Sequence, residues 1–168
     1  KQVALITDAG MPMISDPGYL LVKAALENNI AVTVVPGPTA FASAISLSGI
    51  DCSEFVFIGF LSSKQSERLK VLAELNKQQK ALVLYESPHR LLSCLKDVLT
   101  VCGSDRIISV VKEITKAYEN IYHGRAVDIL AQLSTLESIK GEYVVIISGN
   151  NLNINLAEQE IITALKLF

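Results

Sequence analysis

Thr7-Asp8-Ala9-Gly10-Met11-Pro12-Met13-Ile14-Ser15-Asp16-Pro17-Gly18 follows the apolar run Val3-Ala4-Leu5-Ile6 and precedes a helical pattern from Tyr19 to Asn28. The apolar run reads as a buried strand. A long loop rich in Gly, Pro and Asp therefore sits at the carboxyl end of a strand, the edge at which open α/β sheets hold their ligands. The arrangement returns one unit later. Ala31–Val35 reads as a strand, Pro36-Gly37-Pro38-Thr39 as a turn, and Ala40 to Ser48 as a helix of small residues. Alternating strands and helices predict parallel strands with crossover helices, so both loops open on one edge of one sheet.

The chain has 168 residues, enough for one domain or two small ones, and half of them are hydrophobic. Charged residues make up 19 % and the net charge is −2, so composition carries no basic footprint of nucleic acid. No apolar run reaches membrane-spanning length, and no signal peptide is visible. Cys52, Cys94 and Cys102 are odd in number and lack metal spacing. They read as buried or incidental thiols in a reducing compartment, and the expected location is cytoplasmic. The chain enters a strand within two residues of Lys1 and stops at Phe168 inside the apolar pattern Ile161–Phe168. That reads as an internal piece of a longer protein.

A short polar stretch at Asp51-Cys52-Ser53 marks one boundary and the polar linker that starts at Gly149 a second, which divide the chain into residues 1–51, 52–150 and 151–168. Gly49 suits the position just past a helix end. In the second unit Phe55–Phe60 reads as a strand and Ser62 to Lys80 as a polar helix marked by Leu69, Leu72, Ala73 and Leu75. Ala81–Tyr85 is a buried strand, and Leu91, Leu92, Leu95, Val98 and Leu99 give a helical stripe that ends near Gly103. Ile107–Val111 and Glu119–His123 read as strands in a hairpin-like segment, Ala126–Leu136 as a helix and Tyr143–Ile147 as a last strand. A polar linker over Gly149–Asn153 leads into the apolar helical pattern.

Asp16 or Ser15 is expected to cap the helix that follows, with Pro17 in its first turn. Asp8 lies just past a buried strand, where it either meets a ligand or bonds its own loop. Pro36-Gly37-Pro38 lacks two backbone donors and stiffens a sharp turn, as a connection or as a place where a flat ligand nears the backbone. Glu86, His89 and Arg90 crowd one strand-to-helix turn, and Lys112-Glu113-Ile114-Thr115-Lys116 repeats the pattern after the next strand. If these strands are parallel neighbours, Glu86 and Glu113 share one crevice and one cation, Arg90 or Lys116, because like charges repel without it. Lys64, Arg68 and Lys70 form either a phosphate-binding face or an ordinary solvated one. No GxGxxG, Walker loop, HExxH, CxxC or Gly-x-Ser-x-Gly is present, which weighs against dinucleotide, P-loop, zinc and serine-hydrolase chemistry.

Taken in order, Asp8-Ala9-Gly10-Met11-Pro12, Ile14-Ser15-Asp16-Pro17-Gly18, Pro36-Gly37-Pro38-Thr39-Ala40, Gly59-Phe60-Leu61, Tyr85–Arg90, Lys112–Lys116 and Gly141-Glu142 resemble one family. It is the bacterial ribosomal RNA small subunit methyltransferase I family, within the tetrapyrrole (corrin/porphyrin) methylase superfamily. The resemblance spans roughly residues 3 to 149. Met11 stands where a Thr is usual, and Lys64–Lys70 is less basic than its counterpart.

The resemblance implies an α/β fold of two domains with a cofactor cleft between them. Residues 1–51 would be the second half of the N-terminal domain, residues 52–150 the C-terminal domain, and residues 151–168 a linker and the start of a helical extension. It implies S-adenosylmethionine as methyl donor, a cytidine ribose 2′-hydroxyl in 16S rRNA of the small ribosomal subunit as acceptor, a homodimer, and no metal. It also implies that an N-terminal segment outside this chain carries the first strand and its ligand-binding loop. Asp8, Ala9, Gly10, Met13, Pro36, Gly37, Pro38, Thr39 and Ala40 are then the cofactor-binding candidates. Glu86, His89, Glu113 and Lys116 are the catalytic candidates near the acceptor, with the base not chosen among them. Methyl transfer needs in-line placement and removal of the ribose proton. A corrin-precursor methylase of the same fold, or a non-catalytic cofactor-binding or dimerisation fragment, are the competing readings.

Overall fold

Two apolar runs with no charge inside them, Ala81–Tyr85 and Tyr143–Ile147, lie side by side within a five-stranded sheet. The computed structural model describes residues 2–150. Its elements are α1 (Tyr19–Glu27), α2 (Ala40–Leu47), β1 (Phe55–Phe60), α3 (Gln65–Leu75) and β2 (Ala81–Glu86), then α4 (Leu91–Cys102), β3 (Ile107–Lys112), β4 (Asn120–Arg125), α5 (Ala126–Ser134) and β5 (Tyr143–Ile147). The sheet order is β1-β2-β5-β3-β4. β1 and β2 are parallel, β5 runs antiparallel to both its neighbours, and β3 and β4 pair antiparallel.

This order corrects one expectation. β2 and β3 run the same way, but β5 separates them. Every residue of β5 is buried, and a strand apolar on both faces is best satisfied in the middle of a sheet. The hairpin-like pairing of Ile107–Lys112 with the following strand is as expected. The helix expected over Ser62–Lys80 is shorter, at Gln65–Leu75.

Alternate residues of the strands feed two cores. Leu82, Leu84, Val110 and Val145 pack with Leu91, Cys94, Leu95 and Val98 of α4, Leu72 of α3 and Ile129 and Leu133 of α5. Val83, Val111, Val144 and Ile146 pack on the other face against Ala44 of α2. The Leu91–Val98 stripe is thus buried as its period predicts. Gly49, with φ 66°, follows the last helical turn of α2 as expected.

The N-terminal strands do not form. Val3–Ile6 and Ala31–Val35 find no strand partner among the described residues. Val3, Ile6 and Val35 stand 83 %, 84 % and 85 % exposed. β-branched runs favour extended backbone, but a strand's N–H and C=O groups need a neighbouring ladder. The capping expectation also fails. α1 is capped by Gly18, whose carbonyl accepts from the Leu21 and Val22 N–H groups, and no side chain caps it. Ser15 is left-handed, at φ 64°, so the chain turns before Pro17, which lies outside the helix. Among the described residues, no helix is long and apolar enough to cross a membrane. The expected linker beyond Asn150 and the apolar helix to Phe168 lie outside the described residues.

Candidate active site

The Asp8–Asp16 loop, the start of α2 and the ends of the central strands enclose a cavity of about 490 Å³. That is the size of a small-molecule site. The first loop is braced from within. The Thr7 hydroxyl donates to the carbonyls of Ala9 (2.9 Å) and Gly10 (3.3 Å). Thr7 therefore does the local bonding, and the exposed Asp8 carboxylate has no hydrogen-bond or ion-pair partner among the described residues.

The two loops meet without their strands. The Gly37 N–H donates to Met11 Sδ at 3.0 Å. Met11 therefore still offers an acceptor, though thioether sulfur is a weak one. Gly10 sits at φ 72°, and a Cβ there would stand 3.5 Å from the Pro38 carbonyl. Of the expected cofactor residues, Asp8, Ala9, Gly10, Thr39 and Ala40 line the cavity. Met13, Pro36, Gly37 and Pro38 do not. Met13 packs beside Gly18, and the Pro-Gly-Pro turn supports the first loop from behind.

Among the expected catalytic residues only Glu86 lines the cavity. Its Oε1 accepts from the Ser87 N–H and from Arg90 Nε, each at 2.8 Å. Arg90 also donates to the Leu61 carbonyl at 3.1 Å, tying the end of β1 to the start of α4. Glu86 Oε2 is buried and finds no N–H or O–H donor among the described residues. Burial, and then the neighbouring Glu86 carboxylate, push the Cys94 thiol up to about 12, which makes it inert. His89 is exposed and outside the lining.

Glu113 and Lys116 form a brace behind the wall. Glu113 Oε1 accepts from Lys116 Nζ and from the Glu142 N–H, both at 2.9 Å. The Glu113 N–H donates back to the Glu142 carbonyl at 2.9 Å, and Lys116 reaches Glu142 Oε2 at 2.8 Å. The Lys116 ammonium, and then the Glu142 N–H, hold the Glu113 carboxyl below its ordinary range. Glu113 and Thr115 both carry positive φ, 48° and 64°, a strained backbone for residues with side chains. A Cβ on Gly141 would lie 2.5 Å from Glu113 Cγ, so the brace requires glycine there. The wall residues Ile114, Gly141 and Glu142 are held by this brace.

The shared-cation cluster is therefore corrected. Glu86 has Arg90 and Glu113 has Lys116, with no cation common to both, and β5 stands between their strands. Arg68 is also reassigned. It is 3 % exposed, and its Nε meets Asp97 Oδ2 at 2.6 Å. Its other donors reach the Ser62 and Ser63 carbonyls, and Gln65 holds the second Asp97 oxygen. Arg68 pins α3 to α4 and cannot present charge to a phosphate, and Lys64 pairs with Glu67 at 3.2 Å.

Sequence reasoning assigned no site role to Phe60, Tyr85, Ile114 or Tyr143, which line the cavity, and read Asp16 only as a cap. The Tyr85 hydroxyl accepts from the Phe41 N–H at 3.2 Å, and burial raises the phenol's pKa, with Asp16 adding to it. The charged lining residues are Asp8, Asp16, Glu86 and Glu142, with no Lys or Arg among them. Arg90 offsets Glu86 and Lys116 offsets Glu142, so the uncompensated charge of the lining is that of Asp8 and Asp16, which suits a cation. Among the described residues no group of three or more His, Cys, Asp or Glu side chains is placed to hold a metal.

Residues 1–130 match the family of Tetrapyrrole (Corrin/Porphyrin) Methylases. The chain is 43 % identical over 150 residues to the "Ribosomal RNA small subunit methyltransferase I" of Xylella fastidiosa, covering 89 % of this chain and 55 % of that protein. The chain thus spans about half the length of that relative. The methyltransferase CobJ superposes with a TM-score of 0.61 at 19 % identity, over 83 % of this chain and 62 % of its own. Uroporphyrin-III C-methyl transferase from Thermus thermophilus, complexed with S-adenyl homocysteine, gives 0.55 at 19 % identity, over 83 % and 62 %. These two solved structures share the fold.

Proposed function

Because the chain belongs to the tetrapyrrole (corrin/porphyrin) methylase family, we propose that it is the core of an S-adenosylmethionine-dependent methyltransferase that modifies a cytidine ribose 2′-hydroxyl in small-subunit rRNA. The observation that carries this reading is the cavity, where Asp8–Gly10, Thr39–Ala40 and the Glu86–Pro88 turn converge beneath an acidic lining. When bound, S-adenosylmethionine supplies a methyl group made electrophilic by its sulfonium. Its net positive charge fits the Asp8 and Asp16 carboxylates, neither of which has an ion-pair partner among the described residues. Ala9, Gly10 and Thr39–Ala40 bring backbone close enough to hold a small ligand.

The acceptor's ribose and base are uncharged, so they enter an acidic cavity at less cost than a polycarboxylate would while the flanking phosphodiesters stay outside it. That favours rRNA over a corrin precursor, whose carboxylates would face Asp8 and Asp16, which have no ion-pair partner among the described residues. The relatives named for rRNA methylation favour the same choice. The protein must also take the hydroxyl proton or polarise its oxygen. Glu86 is the cavity-lining member of the catalytic candidates, while Glu113 and Lys116 fix the wall beside it. Residues 1–51 and 52–150 act as the two sides of the cleft, the protein works as a homodimer, and its place is the cytoplasm.

The test uses the full-length protein that contains this chain, with labelled S-adenosylmethionine and small ribosomal subunits lacking the modification. Label should appear as 2′-O-methylcytidine. Transfer to a corrin precursor instead would establish the competing enzyme. S-Adenosylhomocysteine that gives no calorimetric heat would reduce the chain to a structural module.

A further inference from the structure

β1 alternates regularly as far as Ile58. Phe57 joins the α2-side core, while Val56 and Ile58 pack on the α3–α4 side. Continued alternation would send Phe60 to the Val56 face. The ladder does not continue. Phe57 pairs with Val83 and Gly59 with Leu84, so Ile58 is an extra residue in a β-bulge. One inserted residue moves every later side chain to the opposite face. Phe60 consequently pairs with Tyr85 on the cavity side, with ring centroids 5.7 Å apart, and is left 55 % exposed.

The device has two costs. A large aromatic ring is taken from a core and set in water. Gly59 must adopt φ 70°, which glycine alone takes without strain. The glycine also lies against the first loop, since a Cβ on it would stand 3.0 Å from Ser15 Oγ. The ring itself is firmly placed. Phe41 stacks on Phe57 at 4.5 Å, Phe57 meets Tyr85 edge-on at 5.1 Å, and Tyr85 supports Phe60.

We propose that Phe60 is the platform on which the acceptor's nucleobase stacks, an inference that rests on the acceptor being an RNA nucleoside. An aromatic face holds any base without reading its edge, the common mode for unstacked nucleotides in RNA. More than half of Phe60 remains open to solvent although it lines the cavity, so it stands at the mouth. A small cofactor is mostly enclosed by its site, whereas a macromolecular acceptor enters from the mouth. Phe60 therefore serves the acceptor. The target cytidine must leave its own stack to reach it.

The test compares Phe60→Ala, Phe60→Leu and Phe60→Tyr in the full-length protein. KM for unmodified small subunits and Kd for S-adenosylhomocysteine are measured, with the thermal midpoint as a check of fold. Ala and Leu should raise KM roughly 5- to 100-fold and Tyr by less than about threefold, the scale of lost base stacking. S-Adenosylhomocysteine affinity should not change. Leu as effective as Phe would reduce the ring to apolar filler and overturn the proposal. Weakened S-adenosylhomocysteine binding in Phe60→Ala would assign the ring to the cofactor instead. If wild type methylates the subunits and Phe60→Ala does so with unchanged KM, this inference alone fails. If wild type does not methylate them, the functional reading fails and takes this inference with it.

Discussion

The two walls of the cavity are built in opposite ways. The sheet wall, from β1 to β5, is a paired ladder with cores on both faces. The loop wall, residues 8–16 and 39–40, rests on a few short contacts: Thr7 to Ala9 and Gly10, Gly37 to Met11, and Gly10 against Pro38. Its flanking apolar runs stand in water. The loop wall thus rests on single contacts within and between two loops, Met11 to Gly37 being 26 residues apart, whereas the opposite wall is held by continuous ladders and packed cores. Changes in the two walls should separate cleanly into ligand effects and stability effects.

The largest separation is expected at Arg68→Ala. It strands the buried Asp97 carboxylate, and breaking a buried pair costs about 3–5 kcal/mol. Urea unfolding should show that loss, with S-adenosylhomocysteine affinity unchanged in the protein that remains folded. A loss below about 1 kcal/mol, the level of an exposed pair, would mean that Arg68 is solvated after all. Gly141→Ala should come next. The left-handed φ of 96° and the Glu113 side chain together predict a loss of about 1–3 kcal/mol, read in the same titration.

Asp8→Ala should do the reverse. Its effect should fall on ligand affinity, by about 1–3 kcal/mol for a lost charged hydrogen bond, with the unfolding midpoint unmoved. Calorimetry on the full-length protein decides it, and an unchanged Kd would make the loop wall electrostatically passive. The Glu113 brace adds a pH signature. Its folded pKa is lowered below 4.5, so its stabilisation is complete above that value and fades as pH falls through the lower folded one. Glu113→Gln should therefore flatten the acid limb of the unfolding midpoint below about pH 4.5 and leave the neutral region nearly parallel to wild type. Met11→Leu should have the smallest effect. It removes only a weak sulfur acceptor, so ligand affinity should fall by less than about fivefold.

The elements of the sheet were legible because they are local. The stripe Leu91–Leu95–Val98 and the runs Ala81–Tyr85 and Tyr143–Ile147 declare their type by spacing and by the absence of charge. Their order was not legible, since nothing within Tyr143–Ile147 says that it enters between β2 and β3. The same limit explains Val3–Ile6 and Ala31–Val35, whose composition suits a strand but whose pairing depends on a neighbour. Arg68 looked like surface charge because Asp97, which buries it, is 29 residues away. The Glu113 brace was hidden for the same reason, because Glu142 is equally distant. Phe60 was hidden by a single extra residue, for which Gly59 was the one visible sign. The place of the Gly- and Pro-punctuated loops was read more directly: Asp8–Gly10 and Thr39–Ala40 line the cavity.

The position of β5 also fixes when this sheet can close. Chain synthesis yields the β1–β2 pair first and the β3–β4 hairpin next, and no strand ladder joins one to the other until residues 143–147 exist. Until then β2 and β3 each present an unpaired apolar edge, the surface through which nascent chains stick to one another. The strand that joins the halves is made last of the five and closes ladders to residues 31 to 65 positions earlier. Such long closures make assembly slow. The growing chain therefore passes through a stage in which two finished pieces wait for their common keystone, and shielding at that stage should govern its yield.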